Sequence, residues 1–427
     1  MKAGKRHVVH IGFHASEASA VDFEADHVTA VMARGSRARL PDATASRFAR
    51  IALLDLPDST DLDTYDRAFD RMRELVAELA AEFGPPDAIV ALYEHTTLPA
   101  ARLREHFGVP GTGVRTALLC RDKVPMKEAV AAAGVPVPRY LAVGPETGID
   151  ELASFADLLP PGPIVLKPRS QGASIGVRIL DGAEELLAVA AEGGIEAGYE
   201  AEEFVEGSIY HIDGVVRDFE MLWFCASRYL DTCFNFQHGN QPLAAVTSDD
   251  PALVARMREF TATVLGALGL TDSTFHLELF HTPDDRLVFL EIGNRFGGAG
   301  ISWHQRTVLG VDLVKEAVLA CTGRPSELSS PRTMLDQRAP GASGWLYMPL
   351  AEQGPRQVLD VTGLDELPDS VVGAGIPETG AVLNGKGDVW RTAGRFLVSG
   401  DSSASVEHSM GRIVDTYTLT TKAADQR

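Results

Sequence analysis

The segment FLEIGNRFGGAG (289–300) puts a carboxylate, an amide and a guanidinium within five residues, at Glu291, Asn294 and Arg295, ahead of paired glycines. It closes the longer run HLELFHTPDDRLVFLEIGNR, where TPDDR is a strong turn signal between apolar or alternating stretches. The run is predicted to be a β-hairpin. Folded symmetrically about Asp284 and Asp285, it sets Glu278 opposite Glu291. Side chains opposed in this way have Cβ atoms roughly 4.5–5.5 Å apart, and like charges there destabilise a sheet. A positive group is therefore expected between them. Two such carboxylates suit bridging ligation of Mg²⁺, which keeps several waters and shares its shell with nucleotide phosphates; Mn²⁺ is the alternative ion. The competing reading is a solvent-facing hairpin with hydrated glutamates. His276 shares the face of Glu278 and either orients a substrate or phosphate, or packs. Arg295 offers a guanidinium that can grip a carboxylate or phosphoryl oxygen in bidentate fashion. Gly297 and Gly298 let the backbone approach that anion closely.

Two further segments carry chemistry. IVLKPRSQGASIGVRIL (164–180) flanks the loop KPRSQGASIG with apolar strands. Backbone N–H groups of such a loop can form an anion-binding concavity, with Lys167 at its lip and Ser170, Gly172 and Ser174 along it. It is no Walker loop, because no G-K-[ST] opens a helix after the strand. A plain hairpin turn is the alternative. YEAEEFVEGSIYHIDGVV (199–216) reads as strand, turn and strand, with Glu206-Gly207 at the turn.

These residues need a scaffold, and 427 residues are enough for two or three domains with separate cores. Residues 1–118 alternate strands (RHVVHIGF, RIALLDL, DAIVALYE) with helices at 61–83 and through LPAARLREHFG, the pattern of a small parallel α/β domain. Glu94 and His95 fall at the carboxyl end of a strand, where α/β sites gather, although a solvated loop is the commoner meaning of such a pair. RDKVPMKEAVAAAGVPVPRY is predicted to be a helix stopped by Gly134. Residues from about 160 to 320 then read as α+β, within a second domain expected over 119–325 with lobes 119–210 and 211–325. A hydrophilic stretch from Pro325 to Arg338 resembles a linker, and 326–427 form a β-rich closing lobe. FNFQHGNQPL (234–243) is either part of a substrate pocket or an ordinary surface loop.

Composition narrows the classes. Thirty-nine basic against 59 acidic residues give a net charge of −20, so the whole-protein field repels nucleic acid. No apolar run approaches the length needed to cross a bilayer. Four cysteines without C-x-x-C or metal-ligand spacing fit free thiols in a reducing cytoplasm. The absence of G-x-G-x-x-G and G-x-S-x-G disfavours a dehydrogenase and a hydrolase.

In order and spacing, these pieces resemble the ATP-grasp superfamily over roughly residues 1–325, most nearly the carboxylate–amine ligases that join L-amino acids. The resemblance implies an ATP-grasp fold with an N-terminal parallel α/β domain and a small β-rich C-terminal lobe. It makes Lys123 and Lys167 nucleotide lysines. EEFVEG becomes the hinge, with Glu202, Phe204 and Val205 along adenine and Glu206 at the ribose. Glu278 and Glu291 become metal ligands, and Arg295, Lys167 and His276 the catalytic set. Gly293 stands where many relatives have a metal-binding Asn, and Asn294 is expected on the opposite face of the strand. ATP and Mg²⁺ are thereby implied, with small carboxylate and amine substrates and, by analogy alone, a homodimer. Bicarbonate-dependent carboxylation, ligation of a D-amino acid and a non-catalytic nucleotide-binding role are the rivals.

Overall fold

The computed structural model describes residues 4–57, 61–336, 341–384 and 392–424. The N-terminal domain is a four-stranded parallel sheet in the order Arg50–Leu54, Asp26–Ala33, Arg6–Ile11, Ala88–Val90. Successive residues of its strands serve opposite faces, as the period of two requires. Val9, Ile11 and Val31 pack with the helix Phe69–Phe83, whereas Val8, Ala30 and Met32 pack with Ala317 and Val318 of a helix far along the chain. Phe69–Phe83 buries Met72, Leu75, Val76 and Leu79 on one side, each contributing about 1.5–3 kcal/mol when fully covered. The single helix expected over 61–83 is two, Thr64–Arg67 and Phe69–Phe83, joined through Ala68.

The small lobe is an antiparallel sheet in the order Tyr140–Val143, Tyr199–Glu203, Ile164–Pro168, Arg178–Leu180. Its outer face packs Leu166 and Ala201 against the helices Ile149–Ala156 and Ala183–Ala191. Its inner face carries Lys167, Glu200 and Glu202, which follows from strict alternation along each strand. The large sheet runs through the strands Leu287–Gly293, Ser273–His281, Ser208–Arg217, Glu220–Tyr229 and Leu243–Thr247. It continues into Ala342–Met348, Gly394–Gly400 and Val371–Gly375, so the closing segment extends this sheet. The stretch predicted as a linker is packed down. Arg332–Thr333 pairs with Glu220–Tyr229, Leu328 and Met334 are buried, and Ser326 and Glu327 bond to Glu316. Arg338 lies outside the described residues.

Gly214, mid-strand, faces both the Phe275 ring and the Trp223 carbonyl; an added Cβ would lie 2.6 Å from that carbonyl oxygen. Backbone cannot yield as a flexible side chain does, so Gly214→Ala should destabilise by about 1–3 kcal/mol. Urea denaturation checks this, and an unchanged midpoint would mean the sheet can open there.

Candidate active site

The hairpin forms, and its register at the critical pair is Glu278 opposite Glu291. The route differs from symmetric folding. The loop is three residues long, Thr282 bonding back across it to Arg286, with Asp285 in the left-handed region at φ 61°. Asp tolerates that conformation better than most residues. Near the tip, His281 therefore pairs with Leu287 and Leu279 with Phe289. Leu290 is then an extra, unpaired residue, a β-bulge, and beyond it Glu278 meets Glu291. Leu290 and Glu291 both line the adjacent cavity.

The positive charge demanded by two facing carboxylates is present. Lys123 Nζ lies 3.0 Å from Glu291 Oε2, and His276 Nε2 3.3 Å from Glu278 Oε1. The Tyr229 hydroxyl donates to Glu278 at 3.2 Å. Burial opposes ionisation of Glu291, but Lys123 and Lys167 outweigh it and hold the carboxyl at about 2. His276 is pinned from behind, its Nδ1 2.9 Å from Asp213, whose other oxygen is 2.6 Å from His211 Nδ1. Burial pulls the His276 pKa down, yet Asp213 and Glu278 outweigh it and raise it to about 9. Asp213, His211 and His276 are close enough to share a cation, but both imidazoles already satisfy the Asp213 carboxylate.

Lys123 begins the helix Lys123–Ala132, which Asp122 caps by accepting from the Val124 N–H. The same carboxylate holds Arg169 through two bonds, at 2.9 and 2.6 Å. One aspartate thus fixes the helix start and the loop that follows Lys167. Four residues on, along the same helix face, Lys127 is fully buried against Glu200 and Glu202. Burial depresses its pKa. Lys167 Nζ sits 2.7 Å from Glu202; burial disfavours its charge, but Glu202 and Glu200 outweigh that and raise its pKa.

A cavity of about 380 Å³ lies between the small lobe and the hairpin, within the range of small-molecule sites. It gathers Lys123, Lys167, Gly172, Ser174, Glu202, Phe204, Val205, Glu206, Glu278 and Glu291. Its apolar walls include Val165, Ile179, Ile209 and Phe280. The loop over it holds Ala173 and Ser174 at φ 53° and 57°, a conformation unfavourable for side-chain-bearing residues. Lys123 Nζ donates to the Gln171 carbonyl at 2.6 Å, and Gln237 donates to that of Ala173 at 2.5 Å. Gln237 belongs to a helix, Cys233–Gly239, where a loop was expected, and Cys233 and Phe234 line the cavity.

Three expected site residues stand outside this cavity. The Ser170 hydroxyl turns to Asp63 at 3.2 Å, away from the concavity predicted for it. His276 is covered behind Glu278. Arg295 donates to Glu94 at 2.7 Å. Glu94 is the first residue of the helix Glu94–Phe107 and also faces Arg121 at 3.9 Å, so it is no solvated loop residue. Its carboxylate lies 3.0 Å from where a Cβ on Gly293 would stand, so an Asn there would press on the Glu94 side chain. Asn294 points away and accepts from Ser273. Sequence reading missed Lys127, Glu200, Asp213 and Tyr229. Alternating Glu200 and Glu202 in the strand Tyr199–Glu203, with two lysines one helical turn apart, was the available signal.

No family model matches the chain. It is 30% identical over 240 residues to an L-arginine-specific L-amino acid ligase of Bacillus subtilis, covering 54% of this chain and 56% of that relative. It therefore spans just over half the length of that ligase. Against a D-alanine–D-alanine ligase of Acidiphilium cryptum it is 31% identical over 235 residues, 52% of this chain and 75% of that one. The chain belongs to the ATP-grasp carboxylate–amine ligases. The fold agrees: the crystal structure of an L-amino acid ligase from Bacillus licheniformis superposes over 99% of both chains, with a TM-score of 0.69 at 17% identity. In this ATP-grasp chain, the opposed carboxylates and the two lysines border one cavity between small lobe and large sheet. No described helix is long and apolar enough to cross a membrane.

Because the folded pKa of His276 is raised above its ordinary 6.5 to about 9, its charged form stabilises the fold fully below pH 6.5. That contribution is lost as pH rises through about 9. In metal-free protein, the His276 imidazole should titrate near pH 9 by NMR, and His276→Asn should lack the alkaline fall in stability. Titration at or below 6.5 would contradict the ion-paired geometry.

Proposed function

We propose that this protein is an ATP-dependent ligase that joins a small carboxylate to an amine, with amino acids as the substrate class for both. The observation that carries the reading is the Glu278–Glu291 pair, facing one cavity with Lys123 and Lys167 at its edge. The site fits a divalent ion. Two acidic oxygen donors face each other, and the Lys123 ammonium stands where positive charge is required. Mg²⁺ held by Glu278 and Glu291 would neutralise phosphate oxygens and align them.

In the proposed reaction, ATP is a substrate. A carboxylate oxygen attacks the γ-phosphorus, the O–P bond forms, and the bond to the β-phosphate oxygen breaks, releasing ADP with its electron pair. The amine nitrogen then attacks the acyl carbon. A C–N bond forms, the C–O bond to phosphate breaks, and one proton leaves the nitrogen. The protein's part is positioning and charge neutralisation. Lys123 and Lys167 would bind phosphate oxygens, and Phe204, Val205, Ile209 and Phe280 would sandwich the base, with Glu206 at the sugar. The 170–175 loop would keep water from the acyl phosphate.

Arg295 and Glu94 support the choice of amino acids. A guanidinium and a carboxylate held side by side offer complementary charges to a zwitterion, the first for its carboxylate and the second for its ammonium. Chirality is not encoded in these contacts, so L- and D-amino acids are the arms to compare.

Purified protein incubated with MgATP and pairs of amino acids should release phosphate and yield a new amide, measured by phosphate assay and mass spectrometry. Glu278→Ala and Arg295→Ala should each lower the rate by at least about 100-fold while the fold persists. Full ligation by either variant would refute the assignment, and ADP release with bicarbonate alone would favour the carboxylase reading.

A further inference from the structure

Beneath the floor of the cavity, Lys127, Glu200, Glu202 and Lys167 form a closed square of alternating charge. Lys127 Nζ bonds to Glu200 Oε1 at 2.8 Å and to Glu202 Oε2. Lys167 Nζ bonds to Glu202 Oε1 at 2.7 Å and stands 3.7 Å from Glu200 Oε1. Sheet register is what brings Lys167 near Glu200, because the two are direct cross-strand partners. Lys127 and Glu200 are fully buried, and neither lines the cavity; Lys167 and Glu202 do. The square therefore has an inner half and an outer half.

The inner half has no part in the ligand contacts argued above, yet burying a lysine and a glutamate is costly without a return. Glu200 Oε2 is buried without a hydrogen-bond partner, so this carboxylate is incompletely satisfied even with Lys127 beside it. The nearest other ammonium is that of Lys167. We propose that Lys127 is a positioning residue for nucleotide binding: it neutralises Glu200 and shares Glu202, so that the Lys167 ammonium stays at Glu202, facing the cavity.

Without Lys127, two buried carboxylates would compete for one cation. Lys167 would be drawn toward Glu200, away from the phosphates, and net negative charge would lie under a polyanionic ligand. The Tyr140 ring, 4.6 Å from Lys127 Nζ, favours a cation at that position and so fixes which lysine stays behind. The inference rests on the nucleotide reading and adds to it a residue that never touches the ligand.

The test is calorimetric titration of MgATP into wild type, Lys127→Met, Glu200→Gln and the double variant, with thermal denaturation of each. Lys127→Met should weaken binding by at least about tenfold. Adding Glu200→Gln should restore it to within about threefold, because the carboxylate left uncompensated has gone. Glu200→Gln alone should bind at least as tightly as wild type, which keeps the idea testable should Lys127→Met fail to fold. A merely structural lysine would lower the melting temperature, leave the affinity of folded protein unchanged and show no rescue; that result overturns the proposal. Weakened binding by Glu200→Gln also overturns it. If wild type itself binds no MgATP, the nucleotide reading falls and takes this one with it.

Discussion

Two carboxylates held face to face on adjacent strands repel each other, and the structure around Glu278 and Glu291 is arranged against that repulsion. Lys123 reaches in from a helix start, His276 from the same strand, and the Tyr229 hydroxyl from the next strand but one. Each is itself held: Lys123 by a capped helix, His276 by Asp213. A sheet tolerates opposed acids only where compensating charge is fixed in place. Glu291, compensated this well, remains ionised to low pH. The energetic defect of the bare hairpin is thus what would make it a cation site under the proposed function.

The same logic recurs one layer deeper. Lys167 and Lys127 share two buried glutamates, so the small lobe presents an ammonium to the cavity without burying an unpaired charge. Asp122 links the layers, since it caps the helix carrying both Lys123 and Lys127 and clamps Arg169 beyond Lys167. The loop above the cavity is anchored from two sides. Gln171 bonds to Asp61 and Ser170 to Asp63 of the N-terminal domain, and Gln237 reaches Ala173 from the helix opposite. Opening that loop would break polar contacts to two other parts of the chain, so its movement is coupled to theirs.

Much of this was legible in the residues. Apolar periodicity located the parallel domain, and the strands flanking the 170–175 loop pair as their composition suggests. The hairpin shows both the power and the limit of such reading. Opposition of Glu278 and Glu291 followed from assuming a two-residue turn. The turn has three, because Asp285 accepts a left-handed backbone, and the bulge at Leu290 restores the register. Local sequence does not announce a bulge, since it depends on what the extra side chain meets across the fold. Contacts between distant segments were equally hidden. Glu94 read as a loop residue because its partner, Arg295, lies 201 positions away. Ser170 was placed on a ligand because nothing nearby in sequence points to Asp63. The linker reading failed for a related reason: hydrophilic composition says little when a few residues, Leu328 and Met334 among them, are enough to pack a segment down.

The central claim is that the opposed carboxylates form one cation site joined to a nucleotide cavity. Its most direct test is a crystal of the protein grown with ADP and Mn²⁺, with anomalous scattering used to locate the metal. The account requires a peak within coordination distance of both Glu278 and Glu291, next to diphosphate oxygens. A peak bound to only one of them, or the nucleotide lying elsewhere with Lys123 still paired to Glu291, would contradict it.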